Sequence, residues 1–335
     1  MSIKAGIVGY GIAGAIFHAP LIRNVEGLEL RAVSTSSPEK APRDLTVLSH
    51  EALIADPGIE LVVIAAPNRF HFPLAQAALL AGKHVVVDKP FTITTAEADE
   101  LIALAGPEGR LLTVFQNRRW DGDFLTVQAL LQSGRLGQVI LFEAHWDRFR
   151  PAIKRGWREA PTDGAGLLFD LGPHLIDQAL VLFGRPDSVT IDKAVQREEA
   201  KVDDYFQITF RSGKIRATLS ASNLVAKPRP RFALYGTNGA FVKYGLDPQE
   251  DMLRAGQRPC DAGFGVEADE MHGVFTASDG KEEKVPTYPG RYLSFYEAVV
   301  DAIRSGGPAP VEPADARDAL ALILADQFDT QTRSA

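Results

Sequence analysis

Asp170, His174 and Asp177 stand four and three residues apart in "DLGPHLIDQALVLFG", a stretch otherwise rich in Leu, Ile, Val and Phe. That spacing places all three on one stripe of a helix. An ionisable group buried without a partner costs several kcal/mol, so the stripe needs a reason. A histidine oriented by a nearby carboxylate serves as general acid or base near neutral pH. Gly164, Gly166 and Gly172 leave room for something to approach closely. Two other readings stand beside this one. A metal site is weaker, because no H-x-x-x-H spacing or cysteine pair accompanies the stripe. A capped helix with a satisfied buried histidine is the structural alternative. The helix is expected to open near Asp170, with Pro173 tolerated in its first turn.

Lys89 is the second chemical candidate. "VVVDKP" sets it at the C-terminal end of an apolar strand, with Pro90 restricting its backbone. Ligands of doubly wound sheets bind outside those strand ends. A solvated surface lysine is the alternative. "AAPNRFH" ends the preceding strand in the same way, so Ala66, Pro67, Asn68 and His71 point to the same region. A helix cap and a partly buried histidine are the alternatives there.

The third candidate is Gly9-Tyr10-Gly11-Ile12-Ala13-Gly14, a G-x-G-x-x-G. It follows a strand and opens a helix, which is the context a dinucleotide site requires. Gly9 permits the tight turn, Gly11 lets the backbone approach a pyrophosphate, and Gly14 lets helix and strand pack. The N–H groups of Ile12 and Ala13 then face the anion at the helix start. NAD sites of this type end the second strand with Asp or Glu. Here "AVSTSSPEK" offers Ser34, Thr35 and Ser36, with Lys40 and Arg43 downstream and no carboxylate between Glu29 and Glu39. Hydroxyls and cations suit a 2′-phosphate, so the expected cofactor is NADP. A site built on backbone contacts that also accepts NAD is the alternative.

The elements that position these groups fall into two patterns. Lys4–Gly9, Leu28–Ser34, the run from Leu61, His84–Pro90 and Leu111–Asn117 read as strands alternating with helices. Near-continuous Val/Ile/Leu strands suit a parallel sheet covered on both faces, here a Rossmann doubly wound sheet. "TTAEADELIALAG" carries a helix N-terminal signal. After Asn117 the alternation stops. Gly137–Phe149, Ser188–Glu198, Asp204–Gly213, Lys214–Asn223 and Pro230–Gly245 read as consecutive strands of a large, open, mostly antiparallel sheet. "PADARDALALILADQF" reads as a further amphipathic helix. The fold class expected is α/β plus α+β, with domains at 1–120 and 121–335. One face of the large sheet needs covering, so a homodimer or homotetramer through it is expected.

Composition bounds the function. The 335 residues are 45% hydrophobic and 24% charged, an ordinary globular balance. A net charge of −7 argues against a nucleic-acid partner. No run of ~18 apolar residues reads as a membrane span. The N-terminal apolar run is broken by glycines and does not read as a signal peptide. The single cysteine, Cys260, makes no internal disulfide and reads as a loop thiol of a cytoplasmic protein.

Together "GYGIAG", "APNRFH", "DKP" and "GAGLLFDLGPHLIDQALVLFG" resemble the Gfo/Idh/MocA oxidoreductases from about residue 3 to about 330. "FQNRRWDGDFLT", "RFRP…RGWRE" and "YGLDPQEDMLRAG" resemble the family's NADP-dependent scyllo-inositol 2-dehydrogenase group. The resemblance implies that Lys89 hydrogen-bonds the reacting oxygen. It implies Asp170 and His174 in substrate binding and proton transfer, with Asp177 beside them. It implies that Asn117, Arg118, Trp157 and Arg158 line the cofactor, with Asp88 where the family has Glu. The implied substrate is a small cyclic polyol or sugar. A sugar reductase or aldose dehydrogenase of the same fold is the alternative activity. A non-catalytic NADP-binding sensor is the alternative of another class.

Overall fold

The apolar run Ile3–Val8 forms β1 at the centre of a six-stranded parallel sheet. The computed structural model describes residues 2–106, 109–154, 156–325 and 327–329. β2 (Leu28–Ser34), β3 (Thr46–Val47), β4 (Leu61–Ile64), β5 (His84–Asp88) and β6 (Leu112–Phe115) complete the sheet in the order β3-β2-β1-β4-β5-β6. β4 is buried along its whole length and β5 at its three central valines, which is why both read as unbroken apolar runs. The crossovers are α1 (Ala19–Arg23, preceded by a wide helical turn at Ala13–His18), α2 (His50–Ala55), α3 (His71–Leu80) and α4 (Thr95–Ala105). α4 starts where its sequence says. Thr94 Oγ accepts from the Glu97 N–H at 3.2 Å, and the Glu97 carboxylate accepts from the Thr94 N–H at 3.1 Å.

The second unit begins with α5 (Gly122–Gln132), β7 (Val139–Asp147) and α6 (Leu167–Phe183). It continues through β8 (Ser188–Ala194), β9 (Tyr205–Ser212), β10 (Ile215–Ser222), β11 (Phe232–Gly236), β12 (Gly239–Lys243), β13 (Gly273–Ala277), β14 (Glu282–Val285) and β15 (Gln327–Asp329). These form a nine-stranded sheet in the order β14-β13-β12-β11-β7-β10-β9-β8-β15. All pairings are antiparallel except β7 with β10. α6 packs on one face, where Phe142 meets Phe183 and Trp146 meets His174. Alternation puts Leu141, Glu143, Thr218 and Tyr235 on the other face.

Pro230–Gly245 is a hairpin, β11 and β12, turning at Thr237-Asn238 where its Asn-Gly pair marks a turn. Two expectations change here. The C-terminal helix is α9 (Pro313–Leu324); it ends before Gln327–Asp329, which pair with β8, and Asp326 lies outside the described residues. The domains are not continuous at 1–120 and 121–335. The first unit takes back Gln249–Gly265, with α7 (Gln249–Arg254), and Arg291–Leu320, with α8 (Leu293–Ser305). No composition break marks those returns. They are made by side chains: Tyr292, Phe295, Tyr296 and Val299 are all fully buried. No helix among the described residues is long and apolar enough to cross a membrane.

α8 meets the sheet through an aromatic cluster around His18. Its Nδ1 lies 2.6 Å from the Tyr296 hydroxyl, and its ring lies 4.4 Å from that of Phe115. Burial pulls the His18 imidazole from 6.5 down to about 4, with the Asp88 charge opposing and His71 adding to the fall. Folded His18 is therefore neutral while the unfolded chain protonates below about 6.5. Stability from this group is complete above 6.5, falls as the pH drops towards 4, and levels off below that. His18→Gln should flatten the pH dependence of the urea midpoint over that window by up to about one proton. An unchanged slope assigns the acid sensitivity elsewhere.

Candidate active site

Two of the three motif glycines are demanded by the fold. Gly9 adopts φ +98°, and a Cβ there would lie 2.5 Å from the Ala65 carbonyl carbon. A Cβ on Gly14 would lie 2.2 Å from the Gly9 oxygen. Gly11 differs, since a Cβ there meets no atom within 4 Å. Its bare backbone is open to a ligand, with Ile12 exposed and Ala13 half-buried beside it. β1 and β4 are neighbours in the sheet but β1 to β2 and β4 to β5 run outward in opposite directions. That is the topological switch point, and the glycine turn and Ala65–Asn68 both lie at its carboxyl edge.

The end of β2 adjoins the same turn. Ser34 accepts the Gly9 N–H on its carbonyl at 2.9 Å, Thr35 Oγ accepts from the Ser37 N–H, and Ser36 is exposed. No carboxylate stands at this position, and Lys40 and Arg43 are exposed just beyond. The bare glycine turn and the strand ends around it fit a nicotinamide dinucleotide. Ala66 and Pro67 are half-buried, and Asn68 is buried at the start of a short helical turn. Lys89 follows β5 directly and is half-buried; its N–H donates to the Asp88 carboxylate at 2.8 Å. Asp88 thus folds back on its own turn.

Two residues expected at the cofactor make contacts inside the first unit. His71 is 1% exposed, with Nδ1 2.8 Å from the Pro90 carbonyl and Nε2 2.9 Å from the Ala66 carbonyl. Its ring lies between the two turns that bear Ala66–Asn68 and Lys89; burial lowers its pKa, and the neutral imidazole donates to one of the two carbonyls. Arg118 is also buried. It donates to the Tyr292 hydroxyl at 2.6 Å and to Glu250, so it fastens the returning segments. Neighbouring Asn117 is buried at the end of β6.

The second unit carries the acid–histidine stripe. α6 starts at Leu167, not near Asp170, so Pro173 is its seventh residue rather than part of its first turn. The cap is remote. The Asp203 carboxylate accepts from the Leu168 N–H at 2.7 Å, and the Asp203 carbonyl accepts from Leu167 at 2.9 Å. Burial pushes the Asp203 carboxyl up. Asp170 is partly exposed, with Arg148 at 3.5 Å and Arg158 at 3.4 Å. His174 is 5% exposed and lies against Trp146, ring centroids 5.7 Å apart and 28° between planes. Asp177 is buried one turn further on. Trp157 packs under the Arg158 guanidinium at 4.6 Å, in a short helical turn over Trp157–Glu159. Arg148, Trp146 and Asp203 were not picked out from the sequence. Trp146 was findable, since strand alternation puts it on the face of Phe142; nothing local marks Arg148 or Asp203. Among the described residues no cluster of His, Cys, Asp or Glu could hold a metal ion.

A parallel sheet of this strand order, with a bare glycine turn at its switch point, defines a nicotinamide-dinucleotide-binding oxidoreductase fold. The comparisons place it. Residues 3–116 match the model of the oxidoreductase family with an NAD-binding Rossmann fold, and residues 124–242 match that of the GFO/IDH/MocA C-terminal domain. The chain belongs to the Gfo/Idh/MocA oxidoreductase family. It is 46% identical over 329 residues to the uncharacterized oxidoreductase YdgJ of Escherichia coli, covering 96% of this chain and 94% of that protein. It is 39% identical to scyllo-inositol 2-dehydrogenase (NADP(+)) IolW of Bacillus subtilis, covering 97% and 92%. A solved Bacillus subtilis oxidoreductase, yvaA, superposes with a TM-score of 0.94 at 38% identity, covering 99% and 97%.

The glycine geometry separates folding from binding. Gly14→Ala forces a Cβ into backbone and should destabilise by about 1–3 kcal/mol. Gly11→Ala should leave stability within about 0.5 kcal/mol. It should still weaken NADPH binding, read by fluorescence titration, by at least about tenfold. Full NADPH affinity in a well-folded Gly11→Ala protein places the pyrophosphate elsewhere.

Proposed function

We propose that the chain is an NADP(H)-dependent oxidoreductase that transfers hydride between nicotinamide and the secondary alcohol or ketone of a cyclic polyol or sugar of the scyllo-inositol/inosose type. The observation that carries the cofactor reading is the end of β2. Ser34, Thr35 and Ser36 stand beside the Gly9 turn where an NAD site has a carboxylate. The substrate reading is supported by the 39% identical relative named for scyllo-inositol and NADP(+). Bound NADPH would supply the hydride. In this reading Ile12, Ala13 and the bare Gly11 backbone hold its pyrophosphate. Ala66–Asn68, Asn117, Trp157 and Arg158 contribute the remaining cofactor contacts.

The protein's own part in the chemistry is charge and proton handling. Reduction of a ketone leaves an alkoxide. The Lys89 ammonium stabilises that developing charge, and His174 delivers the proton. Asp170, flanked by two guanidinium groups, accepts from a substrate hydroxyl and sets the ring's orientation. Asp177 lies next on the stripe and completes the polar side of the helix. We also assign the face bearing Leu141, Glu143, Thr218 and Tyr235 to pairing with a second copy of this chain. A monomer mass by light scattering at micromolar concentration, with activity intact, overturns that pairing.

Steady-state oxidation of NADPH across inososes, other keto-sugars and aldoses tests the activity. kcat/KM should favour NADP(H) over NAD(H) by at least about tenfold, ~1.4 kcal/mol. Ser34→Asp should shift preference towards NAD(H), since a carboxylate repels the 2′-phosphate. His174→Ala should lower kcat by about 10²–10⁴-fold with NADPH affinity within a few fold, and Lys89→Ala should do at least as much harm. Turnover of aldoses alone establishes the sugar-reductase alternative. NADPH binding with no turnover of any of them establishes a sensor. Near-normal kcat in His174→Ala makes the histidine a core residue.

A further inference from the structure

His174 does not stand alone on its helix. Its imidazole faces the indole of Trp146, which is 3% exposed. The same indole has the Arg231 guanidinium 5.1 Å from its centroid and the Arg148 guanidinium 5.9 Å away. Arg231 is 2% exposed. It also sits 4.1 Å over the Phe232 ring, donates to Gln178 Oε1 at 2.6 Å and lies 3.7 Å from the Asp123 carboxylate. Gln178 is one turn beyond His174 on α6. The contacts therefore close a ring: His174 to Trp146, Trp146 to Arg231, Arg231 to Gln178, and back along the helix. Arg148 extends it, because it also reaches Asp170 at 3.5 Å.

This arrangement answers a physical problem. An imidazole on a helix turns freely about its last torsion, where the energy wells are broad. A proton donor needs one ring plane and one aimed nitrogen, held to about 10–20°. A flat indole beneath the ring fixes the plane. Its negative face favours imidazolium, while nearby guanidinium charge disfavours it. A buried arginine is costly, and its partners here include a helix amide and a buried carboxylate. Such a residue is held in place firmly enough to pin the indole.

We propose that Trp146 is a positioning residue that sets the ring plane and proton affinity of His174, with Arg231 holding Trp146 in register with α6. The inference rests on His174 as the proton carrier. The charged groups of this cluster are Asp170 and Asp177, four residues before and three after His174 on α6, Arg148 and Arg231 against the Trp146 indole, and Asp123 beside Arg231.

The test is steady-state kinetics and the kcat/KM pH profile with NADPH and an inosose, for Trp146→Phe, Trp146→Leu and His174→Ala. Trp146→Phe keeps a flat ring and should hold kcat within about threefold. Trp146→Leu should lower kcat at least about tenfold with NADPH affinity within about threefold. It should also displace the ionisation that His174→Ala removes. A Trp146→Leu enzyme with the wild-type kcat and pH profile overturns the inference, as does a loss that only tracks the unfolded fraction. If Trp146→Leu does not fold, Arg231→Met decides, since it must displace the same ionisation and an unchanged profile overturns the proposal. Full activity in His174→Ala overturns the proton-carrier reading instead, and with it this inference; impaired His174→Ala beside an unaffected Trp146→Leu overturns only the positioning role.

Discussion

The acid–histidine stripe depends on where α6 begins, and that is decided by Asp203. Its carboxylate accepts the Leu168 N–H, and a Cβ on Gly166 would lie 2.1 Å from its Oδ1. Gly166 adopts φ +95°, so the chain turns into the helix there and not later. The first turn of α6 would otherwise leave N–H groups orphaned in a buried setting. Starting at Leu167 fixes the helical phase. With that phase Asp170 meets Arg148 and Arg158, while His174 meets Trp146. Without that cap the first turn would fray, and Asp170, the fourth residue of α6, would leave the stripe. The cost of burying Asp203, visible in its raised carboxyl, is the cost of placing the site.

Much of the first unit was legible because its signals are local. The glycine turn, the strand-end "DKP", the Thr94–Glu97 capping box and the apolar runs of β1, β4 and β5 each lie within a few residues of the structure they determine. Pairing of β1 with β4 then follows from burial on both faces. What stayed hidden is long-range. Pro173 reads as a first-turn proline only if the helix is capped near Asp170, and the cap comes from Asp203 in a different strand connection. The return of Gln249–Gly265 and Arg291–Leu320 to the first unit rests on contacts such as Arg118 to Tyr292 and Glu250, which no spacing announces. The contacts of His71 with Ala66 and Pro90, and of Arg118 with Tyr292 and Glu250, are likewise marked by no spacing.

The two units solve one problem in opposite ways. In the first, the reactive positions are turns, and the fold makes them rigid by tying turn to turn. Gly9 lies against Ala65, Ser34 holds the Gly9 N–H, and His71 bridges Ala66 to Pro90. In the second, the candidates sit on a regular helix, and rigidity comes from aromatic and guanidinium groups packed against it. Backbone atoms suit the first task, because a pyrophosphate is recognised by N–H groups at close approach. Side chains suit the second in its proposed role, where one titrating group delivers a proton at one place.

Lys89 joins the two strategies. Its backbone is fixed by the pairing of Asp88 with Phe115 at the end of β5, by the Asp88 carboxylate on its own N–H, and by His71 on the next carbonyl. A lysine side chain loses up to about 2 kcal/mol of rotamer entropy when ordered. The direction from which the Lys89 side chain starts is thus set by the backbone, so in its proposed role the binding energy of a substrate oxygen goes to charge stabilisation and not to shaping the turn.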